Sequence, residues 1–308
     1  MRAESTRVKS ACHISEMPVL PVLCTSSLHG GKLGLLNVDV SDRNAPKLKG
    51  VNMDLGLKGK VAMITGASRG LGRAMAAALG QEGVRLSICA RGEQALRVAE
   101  ADLAKQGFEV LALPTDVTVA ADAERWVGET VRRFGGVDIL VNNAGAARPG
   151  ALAELSEETW RDAFELNFFS AVRLSRMTAE SMESRGGGVI VNISSIYGRE
   201  SGGPLTYNAS KAAMISFTKM LAREMAAKNV RVNSIAPGSI VYPGGSWERR
   251  FKENPAFERD FISHEMPAGR LGRPEEVAYA VVMMASPRAS WISGACLPVD
   301  GAQGRSLV

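Results

Sequence analysis

From Lys60 onward, short β-rich runs alternate with longer segments of helical spacing, and this alternation constrains the fold more than any other feature of the sequence. It is typical of a parallel sheet that is covered by helices on both faces. We therefore predict one doubly wound α/β domain with a seven-stranded parallel sheet flanked by helices. The predicted strands are residues 61–65, 85–90, 109–113, 137–142, 189–194, 231–235 and 296–299.

Residues 1–52 differ from the rest of the chain, because proline, serine and glycine interrupt their short apolar runs. We interpret them as a poorly ordered extension and residues 53–308 as the folded domain. The extension is either a targeting segment or a stretch that precedes a natural start at Met53, and its four acidic residues favour the second alternative. Its apolar runs are too short to span a membrane.

The formal net charge of +5 is shared unevenly, since +3 belongs to residues 1–52 and only +2 to the remaining 256 residues. So small an excess of positive charge in the folded part does not favour a nucleic-acid partner. The four cysteines are far apart and lack the spacing of zinc ligands; they are Cys12, Cys24, Cys89 and Cys296. We therefore expect no metal, and we expect buried thiols in a reducing, cytoplasmic compartment.

The stretch TGASRGLG, residues 65–72, is compatible with two different functions. It contains G-x-S-x-G, which in an α/β-hydrolase presents a nucleophilic serine, here Ser68. The same glycines follow an apolar run of strand length and precede a strong helix former, which is the context in which backbone amides bind a dinucleotide phosphate. A hydrolase also needs a histidine late in the chain, and outside residues 1–52 only His264 is available. We therefore prefer the dinucleotide loop.

The end of the second predicted strand indicates which dinucleotide would bind. A carboxylate at this point would accept a hydrogen bond from a ribose 2′-hydroxyl and repel a 2′-phosphate. The sequence has Ala90 there, followed by Arg91, and Arg69 lies within the glycine loop. Two guanidinium groups can bind a 2′-phosphate, so NADP(H) is favoured over NAD(H). The alternative is that Arg91 only begins a solvated helix.

Tyr207 and Lys211 are four residues apart in a segment of helical spacing, so they share one face of a helix. A lysine ammonium beside a phenol stabilises the phenolate and lowers a pKa that is otherwise about 10. The pair would then form a general acid/base near neutral pH. Ser194 and Ser195 end a predicted strand, where open α/β sheets bind their ligands, and a hydroxyl there can hydrogen-bond a substrate carbonyl.

Taken together, these residues resemble the short-chain dehydrogenases/reductases, in the subgroup with a T-G-x-x-x-G-x-G loop. The resemblance extends from about residue 57 to residue 302. It implies a Rossmann fold and an NADP-dependent oxidoreductase that interconverts a ketone and a secondary alcohol. By this resemblance Tyr207 is the acid/base, Lys211 binds the nicotinamide ribose, Asn167 organises a proton-relay water, and Ser195, in S-x-x-G, is the catalytic serine.

The resemblance also implies a cofactor site that gathers residues from several strand ends. Its predicted members are Thr65, Gly66, Ser68, Arg69, Gly70, Leu71 and Gly72, then Arg91, Asp116 and Val117, then Asn143, Ala144 and Gly145 of the N-N-A-G motif, with Tyr207, Lys211, Pro237, Gly238 and Ile240. One position departs from the family pattern, because Tyr242 stands where a threonine is usual. Cofactor contacts in this loop, or its closure, are expected to differ accordingly.

Residues of about 239–270 correspond to the segment that forms a mobile substrate lid in this family. Its apolar side chains either line the substrate pocket or only pack the lid onto the sheet; they are Trp247, Phe251, Phe257, Phe261 and Met266. The sequence leaves the substrate open between a 3-oxoacyl thioester and a small alcohol, a sugar or a steroid.

Two further expectations concern turnover and assembly. A dinucleotide-binding protein that has lost turnover is an alternative, since fold does not fix function, but competent residues occupy all four catalytic positions. Family members are usually tetramers or dimers, built partly from the helices that carry Asn167 and Tyr207. The resemblance therefore implies a homo-oligomer.

Overall fold

The computed structural model describes residues 53–307, so the predicted extension 1–52 lies outside the described residues. The strands of its sheet, β1 to β7, are Val61–Thr65, Arg85–Ala90, Val110–Pro114, Ile139–Asn142, Gly188–Ile193, Val230–Pro237 and Cys296–Val299. All six pairings are parallel, in the order β3-β2-β1-β4-β5-β6-β7. The prediction of a doubly wound seven-stranded parallel sheet is confirmed, and the strand ends differ from the predicted ones by no more than two residues.

The helices of the described part connect successive strands, one between most pairs, two between β4 and β5 and three between β6 and β7. They are α1 Gly70–Gln81, α2 Glu93–Lys105, α3 Ala120–Phe134, α4 Glu157–Phe164, α5 Ser170–Ser184, α6 Leu205–Met225, α7 Ser246–Glu253, α8 Pro255–Glu265 and α9 Pro274–Ala285. A π-helical turn, Glu165–Phe169, lies between α4 and α5, and short 3-10 turns occur at Leu152–Glu154, Ile196–Gly198, Ala226–Lys228 and Pro287–Ala289. Among these helices there is none with the length and apolar character that a membrane crossing requires.

The strands divide their side chains between two apolar layers. Ala62 and Ile64 of β1 pack into a layer with α1, α2 and α9, whereas Met63 faces the layer that contains α3, α5 and α6. Successive side chains of a strand point to opposite faces, so a sheet covered on both sides needs apolar residues at every position. This explains why β1 is buried along its whole length.

The strand order reverses between β1 and β4. From β1 the chain proceeds outward through β2 and β3, and it then crosses to β4 and continues outward in the other direction. The connections that leave β1 and β4 therefore diverge, and a crevice opens at the carboxyl ends of these strands. This crevice receives the glycine loop from β1 and the N-N-A-G segment from β4.

Asp138 lies at the amino ends of the strands, opposite the crevice. Its carboxylate is only 4 % exposed. It accepts hydrogen bonds from the Val61 N–H at 2.8 Å and from Arg185 at 3.0 and 3.2 Å, and its Oδ1 lies 3.5 Å from the Lys60 Nζ. Burial by itself would raise the pKa of Asp138, but Arg185, the Val61 N–H and Lys60 together outweigh it and hold this pKa below its usual value. The charged carboxylate thus joins the starts of β1 and β4 to the end of α5.

We predict that Asp138→Asn lowers the free energy of unfolding at pH 7 by about 1–2 kcal/mol, since solvent screens the partly exposed Lys60 and Arg185. A carboxyl group with a depressed folded pKa stabilises the protein above its unfolded pKa, and this contribution is lost as pH falls through the folded pKa. The difference between wild type and variant should therefore shrink below about pH 4.

Urea unfolding from pH 7 to pH 3 measures this difference, and Asp162→Asn, on an exposed position of α4, is the matched control. A difference that stays constant over this range would show that the Asp138 charge does not stabilise the fold.

Candidate active site

A cavity of about 610 Å³ lies at the carboxyl ends of the strands, in the size range of small-molecule sites. Sixteen of the predicted site residues line it: Gly66, Ser68, Arg69, Leu71, Gly72, Arg91, Val117, Asn143, Ala144, Gly145, Ser195, Tyr207, Lys211, Pro237, Gly238 and Ile240. The other four are not among the lining residues; they are Thr65, Gly70, Asp116 and Asn167. The fold therefore brings distant sequence motifs into one place.

Thr65 joins the two sides of the crevice. Its buried Oγ1 accepts hydrogen bonds from the backbone N–H groups of Asn143 and Ala144, each at 2.8 Å, and donates to the Val141 carbonyl at 3.4 Å. The side-chain Nδ2 of Asn143 donates in return to the Thr65 backbone carbonyl at 2.8 Å. Thr65 thus sets the spacing between the glycine loop and the N-N-A-G segment, and its contribution to binding is indirect.

The glycine loop needs glycine for two reasons: some positions have backbone conformations that other residues rarely adopt, and another has no room for a side chain. Gly66 and Gly70 have φ angles of +66° and +54°, which residues with a Cβ rarely adopt. A Cβ on Gly72 would collide with the Gly66 carbonyl and would lie 2.7 Å from the Asn143 Nδ2. Since α1 begins at Gly70, its unpaired N–H groups lie at this loop, where they can bind an anion.

Two arginines line the cavity on the side of β2. Arg91 precedes Gly92, the residue before α2, and its guanidinium is 65 % exposed and 4.0 Å from Asp116. The other oxygen of Asp116 accepts hydrogen bonds from Thr118, at 3.0 Å to its N–H and 2.7 Å to its hydroxyl. Arg69 lies in the glycine loop and also lines the cavity. The exposed Arg91 guanidinium is therefore available to an additional anionic group, and Arg69 borders the same cavity.

Tyr207 lies in the first turn of α6, which places its side chain in the cavity together with Ser195. The Ser195 Oγ accepts from the Tyr197 N–H at 3.1 Å, and the Ser195 hydroxyl acts to lower the pKa of Tyr207. The Lys211 ammonium donates to the Ile193 carbonyl at 2.7 Å and lies 5.5 Å from the centroid of the Tyr207 ring. The cavity is therefore lined by the residues that carry a phenol, a hydroxyl and an ammonium group, Tyr207, Ser195 and Lys211.

The pKa of Tyr207 differs from the sequence-based expectation. Burial raises the pKa of Tyr207 to about 12, and the hydrogen bond with Ser195 opposes this only in part. Burial likewise lowers the pKa of Lys211 to about 8. The expected lowering of the tyrosine pKa by Lys211 is not found, because the ammonium is directed at the Ile193 carbonyl and the face of the ring. Tyr207 is accordingly protonated at neutral pH.

Asn167 and Ser194 hold the surroundings of this group. The Asn167 side chain lies in the π-helical turn, donates to the carbonyls of Ala146 and Ala163 at 2.9 and 2.8 Å, and accepts from the Ala146 N–H at 3.0 Å. Both of its amide hydrogens are thereby used, so this side chain fixes the segment after β4. The Ser194 hydroxyl donates to the Lys211 carbonyl at 3.2 Å, which agrees with a packing role.

The segment predicted to form the lid contains α7 and α8, and a parallel bridge joins Ile240 near its start to Gly272 just beyond its end. Its aromatic rings pack on one another, with the centroids of Trp247 and Phe261 4.5 Å apart. Of the five side chains considered as pocket walls, only Trp247 lines this cavity, and all five pack in one apolar cluster with Leu271. Met266 also lines a second cavity, of about 320 Å³. Phe251, Phe257 and Phe261 line neither cavity, which favours the packing interpretation for these three.

Tyr242, which departs from the family pattern, connects the lid to the glycine loop. Its ring lies so close to Gly70 that a Cβ on Gly70 would be 2.7 Å from the ring Cζ. Tyr242 also lines the cavity, whereas Gly70 does not. His264, which a hydrolase mechanism would need, is 70 % exposed on α8 and does not line the cavity.

Sequence reasoning missed several lining residues. Those that it did not single out for binding are Cys89, Gly92, Ala95, Thr115, Ala146, Leu166 and Ile193. Gly92, Thr115 and Ile193 lie at the ends of β2, β3 and β5, so the rule that ligands bind at strand carboxyl ends could have found them. Leu166 carries no such signal, because its position depends on how the π-helical turn packs.

Comparisons with known proteins agree with this architecture. The family model described as Enoyl-(Acyl carrier protein) reductase matches residues 66–302. A 3-oxoacyl-[acyl-carrier-protein] reductase of Vibrio cholerae is 38 % identical over 248 residues, covering 80 % of this chain and 98 % of that protein. Dehydrogenase/reductase SDR family member 4 of Mus musculus is 36 % identical over 252 residues, covering 80 % and 87 %. The L-sorbose reductase of Gluconobacter frateurii, solved with NADPH and L-sorbose, has a TM-score of 0.79 at 35 % identity and covers 83 % of this chain and 100 % of that chain.

We predict that Gly72→Ala destabilises the protein by about 1–3 kcal/mol, because the added methyl group forces the backbone of the glycine loop apart. In a domain of this size each kcal/mol corresponds to about 2–4 °C in Tm. Thermal unfolding checks this loss. The control is Gly128→Ala in α3, where a Cβ has open space and replacing a helix-interior glycine should raise Tm. An unchanged Tm for Gly72→Ala would show that the loop accommodates the added methyl group without loss of stability.

Proposed function

The chain belongs to the short-chain dehydrogenase/reductase family, and we propose that it is an NADP(H)-dependent oxidoreductase that interconverts a ketone and a secondary alcohol. The observation that carries this proposal is the presence of Tyr207, Ser195 and Lys211 in the same cavity as the glycine loop. An acid/base group and a phosphate-binding loop in one cavity are the two requirements for hydride transfer with a nicotinamide dinucleotide.

The residues present fit such a cofactor. Gly66 and Gly72 line the cavity with backbone alone, and α1 directs its N-terminus toward the loop, which suits a pyrophosphate. Arg69 and Arg91 line the cavity where β2 ends in Ala90 instead of an acid, which suits a 2′-phosphate. The preference for NADP(H) rests on these two arginines, and the NADPH in the L-sorbose reductase structure supports it.

The proposed mechanism follows from the three side chains beside the cavity. When bound, the nicotinamide supplies or accepts a hydride at the substrate carbon. Tyr207, protonated at neutral pH, donates its proton to the ketone oxygen during reduction and takes it back during oxidation. Ser195 hydrogen-bonds the same oxygen, and the Lys211 ammonium would bind the nicotinamide ribose. Asn167 holds the backbone after β4 in place, since its side-chain oxygen and both of its amide hydrogens bond to backbone groups.

The substrate is proposed as a class only. The Vibrio cholerae relative is named for 3-oxoacyl-[acyl-carrier-protein] and the structural relative for L-sorbose, so a 3-oxoacyl thioester and a keto sugar are the two leading candidates. An NADPH-oxidation screen with acetoacetyl thioesters, keto sugars, cyclic ketones and steroids distinguishes them. Turnover of none of these would favour the alternative of a non-catalytic dinucleotide-binding protein.

We also propose a cytoplasmic homo-oligomer, a tetramer or dimer. A row of aromatic rings runs along α4, the π-helical turn and α6, and it ends in Phe169, which is 47 % exposed; its other members are Trp160, Phe164, Phe168 and Phe217. An exposed apolar edge of this kind is suited to a second copy of the chain. Size-exclusion chromatography with light scattering gives the oligomeric state.

We predict that Tyr207→Phe reduces kcat for ketone reduction by about 10²- to 10⁴-fold, because the ring remains but the proton donor is lost. NADPH affinity, measured by fluorescence titration, should change by less than about threefold. Because the pKa of Tyr207 is raised to about 12, alcohol oxidation by the wild type should increase with pH, and the variant should lose this dependence.

The matched control for this experiment is Tyr279→Phe on α9, where the side chain is 63 % exposed. Ketone reduction at close to the wild-type rate in Tyr207→Phe would contradict the proposed mechanism.

We predict that Arg91→Asp reduces kcat/KM for NADPH roughly 10- to 100-fold, since it removes a charge-assisted hydrogen bond and adds a repelling carboxylate. NADH lacks the 2′-phosphate, so its kcat/KM should change far less. Arg132→Asp, on an exposed position of α3, controls for the change in net charge. Equal losses with the two cofactors would rule out a 2′-phosphate contact.

A further inference from the structure

Gln303 is a buried polar residue that none of the recognised motifs contains. Its side chain is only 6 % exposed, and it makes two hydrogen bonds with a single partner, Ser239. The Oε1 accepts from the Ser239 N–H at 2.7 Å, and the Nε2 donates to the Ser239 Oγ at 3.0 Å. Ser239 itself is only 5 % exposed. The amide of Gln303 therefore fixes both the backbone and the side chain of this serine.

The turn after β7 directs Gln303 inward. Asp300 accepts from the N–H groups of Ala302 and Gly304 at 3.1 and 2.9 Å, and its carbonyl accepts from the Gln303 N–H at 3.2 Å. Gly301 and Ala302 both adopt left-handed conformations, with φ angles of +62° and +65°. Such a conformation is unfavourable for alanine and is maintained here by the bonds to Asp300.

Ser239 lies between Gly238 and Ile240, in the segment to which the family resemblance assigns the binding of the nicotinamide carboxamide. Gly238 precedes it and lies between the cavity and Gln303, since a Cβ on Gly238 would be 2.7 Å from the Gln303 Oε1 and 2.8 Å from the Asp300 Cβ. A second cavity, of about 320 Å³, adjoins Ser239 and Ile240. Backbone hydrogen bonds also hold this segment, from the Gly238 N–H to the Val299 carbonyl at 3.1 Å and from the Gly272 N–H to the Ser239 carbonyl at 3.0 Å. Gln303 adds side-chain hydrogen bonds to them.

The same C-terminal segment also contacts the region of the catalytic tyrosine. The backbone N–H groups of Arg305 and Ser306 donate to the Glu200 carboxylate at 2.5 and 2.7 Å. The Glu200 carbonyl in turn accepts from the Asn208 side chain at 2.8 Å, and Asn208 is next to Tyr207 in α6. The residues after β7 thus contact both the nicotinamide segment and the start of α6.

We propose that Gln303 is a positioning residue that holds the Pro237–Ile240 segment in the geometry that receives the nicotinamide ring. The inference rests on the proposed function, because it assigns this segment to the nicotinamide. Gln303 does not touch the reacting atoms, and it acts through Ser239 and Gly238. Its effect is confined to the nicotinamide half of the cofactor, because the adenine half is bound by the glycine loop, Arg69 and Arg91.

The test compares two ligands on full-length Gln303→Leu. Leucine has a similar size and removes both hydrogen bonds to Ser239. The affinity for NADPH should fall about three- to tenfold, as expected for lost buried hydrogen bonds. The affinity for 2′-phospho-ADP-ribose, which lacks the nicotinamide ring, should stay within about twofold of wild type. Gln106→Leu, at an exposed glutamine of the turn after α2, should change neither affinity.

Three outcomes decide the matter. Equal weakening of both ligands would show that Gln303 only stabilises the fold, and no weakening of NADPH would show that Ser239 holds its position unaided; either result overturns the inference. Wild-type protein that binds neither ligand would instead overturn the proposed function. If Gln303→Leu does not fold, Ser239→Ala removes one of the two hydrogen bonds, and it should weaken NADPH about twofold to threefold with 2′-phospho-ADP-ribose unchanged. An unchanged ratio of the two affinities in that variant contradicts the proposal as well.

Discussion

The hydroxyl of Thr65 makes the interaction on which the site depends. It lies where the strand order reverses, and by accepting two backbone N–H groups from the segment after β4 it fixes the width of the crevice. The glycine loop follows it on one side and the N-N-A-G segment on the other, so the space for a dinucleotide is set by one side chain that does not itself line the cavity. The small residues around it then allow backbone to approach a ligand closely.

Burial governs the chemistry of this crevice. Tyr207 and Lys211 are both removed from water, and burial disfavours the charged form of each, which raises the pKa of the phenol and lowers the pKa of the ammonium. A protonated tyrosine can donate to a carbonyl oxygen, as the proposed reduction of a ketone requires. Most aromatic rings of the predicted lid pack on one another, and three of its residues line the cavity: Ile240, Tyr242 and Trp247.

Much of the fold and part of the site were predictable from local patterns. The strands were located because apolar runs of β-branched residues alternate with helical spacing, and the glycine loop was recognised because it lies between a strand and a helix. Asn167 shows where such reasoning stops: its residue type and position indicated the site, but its use of both amide hydrogens on Ala146 and Ala163 depends on a π-helical turn that has no sequence pattern. The lid aromatics show the same limit, because an apolar side chain in a loop can face a ligand or a neighbour.

The sequence by itself determined the order of the strands along the chain, the strand ends that carry functional residues, and the residue types that suit a phosphorylated dinucleotide and an acid/base pair. It could do so because these properties depend on near neighbours in the chain, through the periods of helix and strand and the conformational freedom of glycine. Only the tertiary structure decided that Lys211 points to the Ile193 carbonyl, that Tyr242 covers Gly70 and that Gln303 supports Ser239. Each of these contacts joins residues brought together by packing of the whole domain, and burial and hydrogen-bond geometry between distant segments leave no local signal.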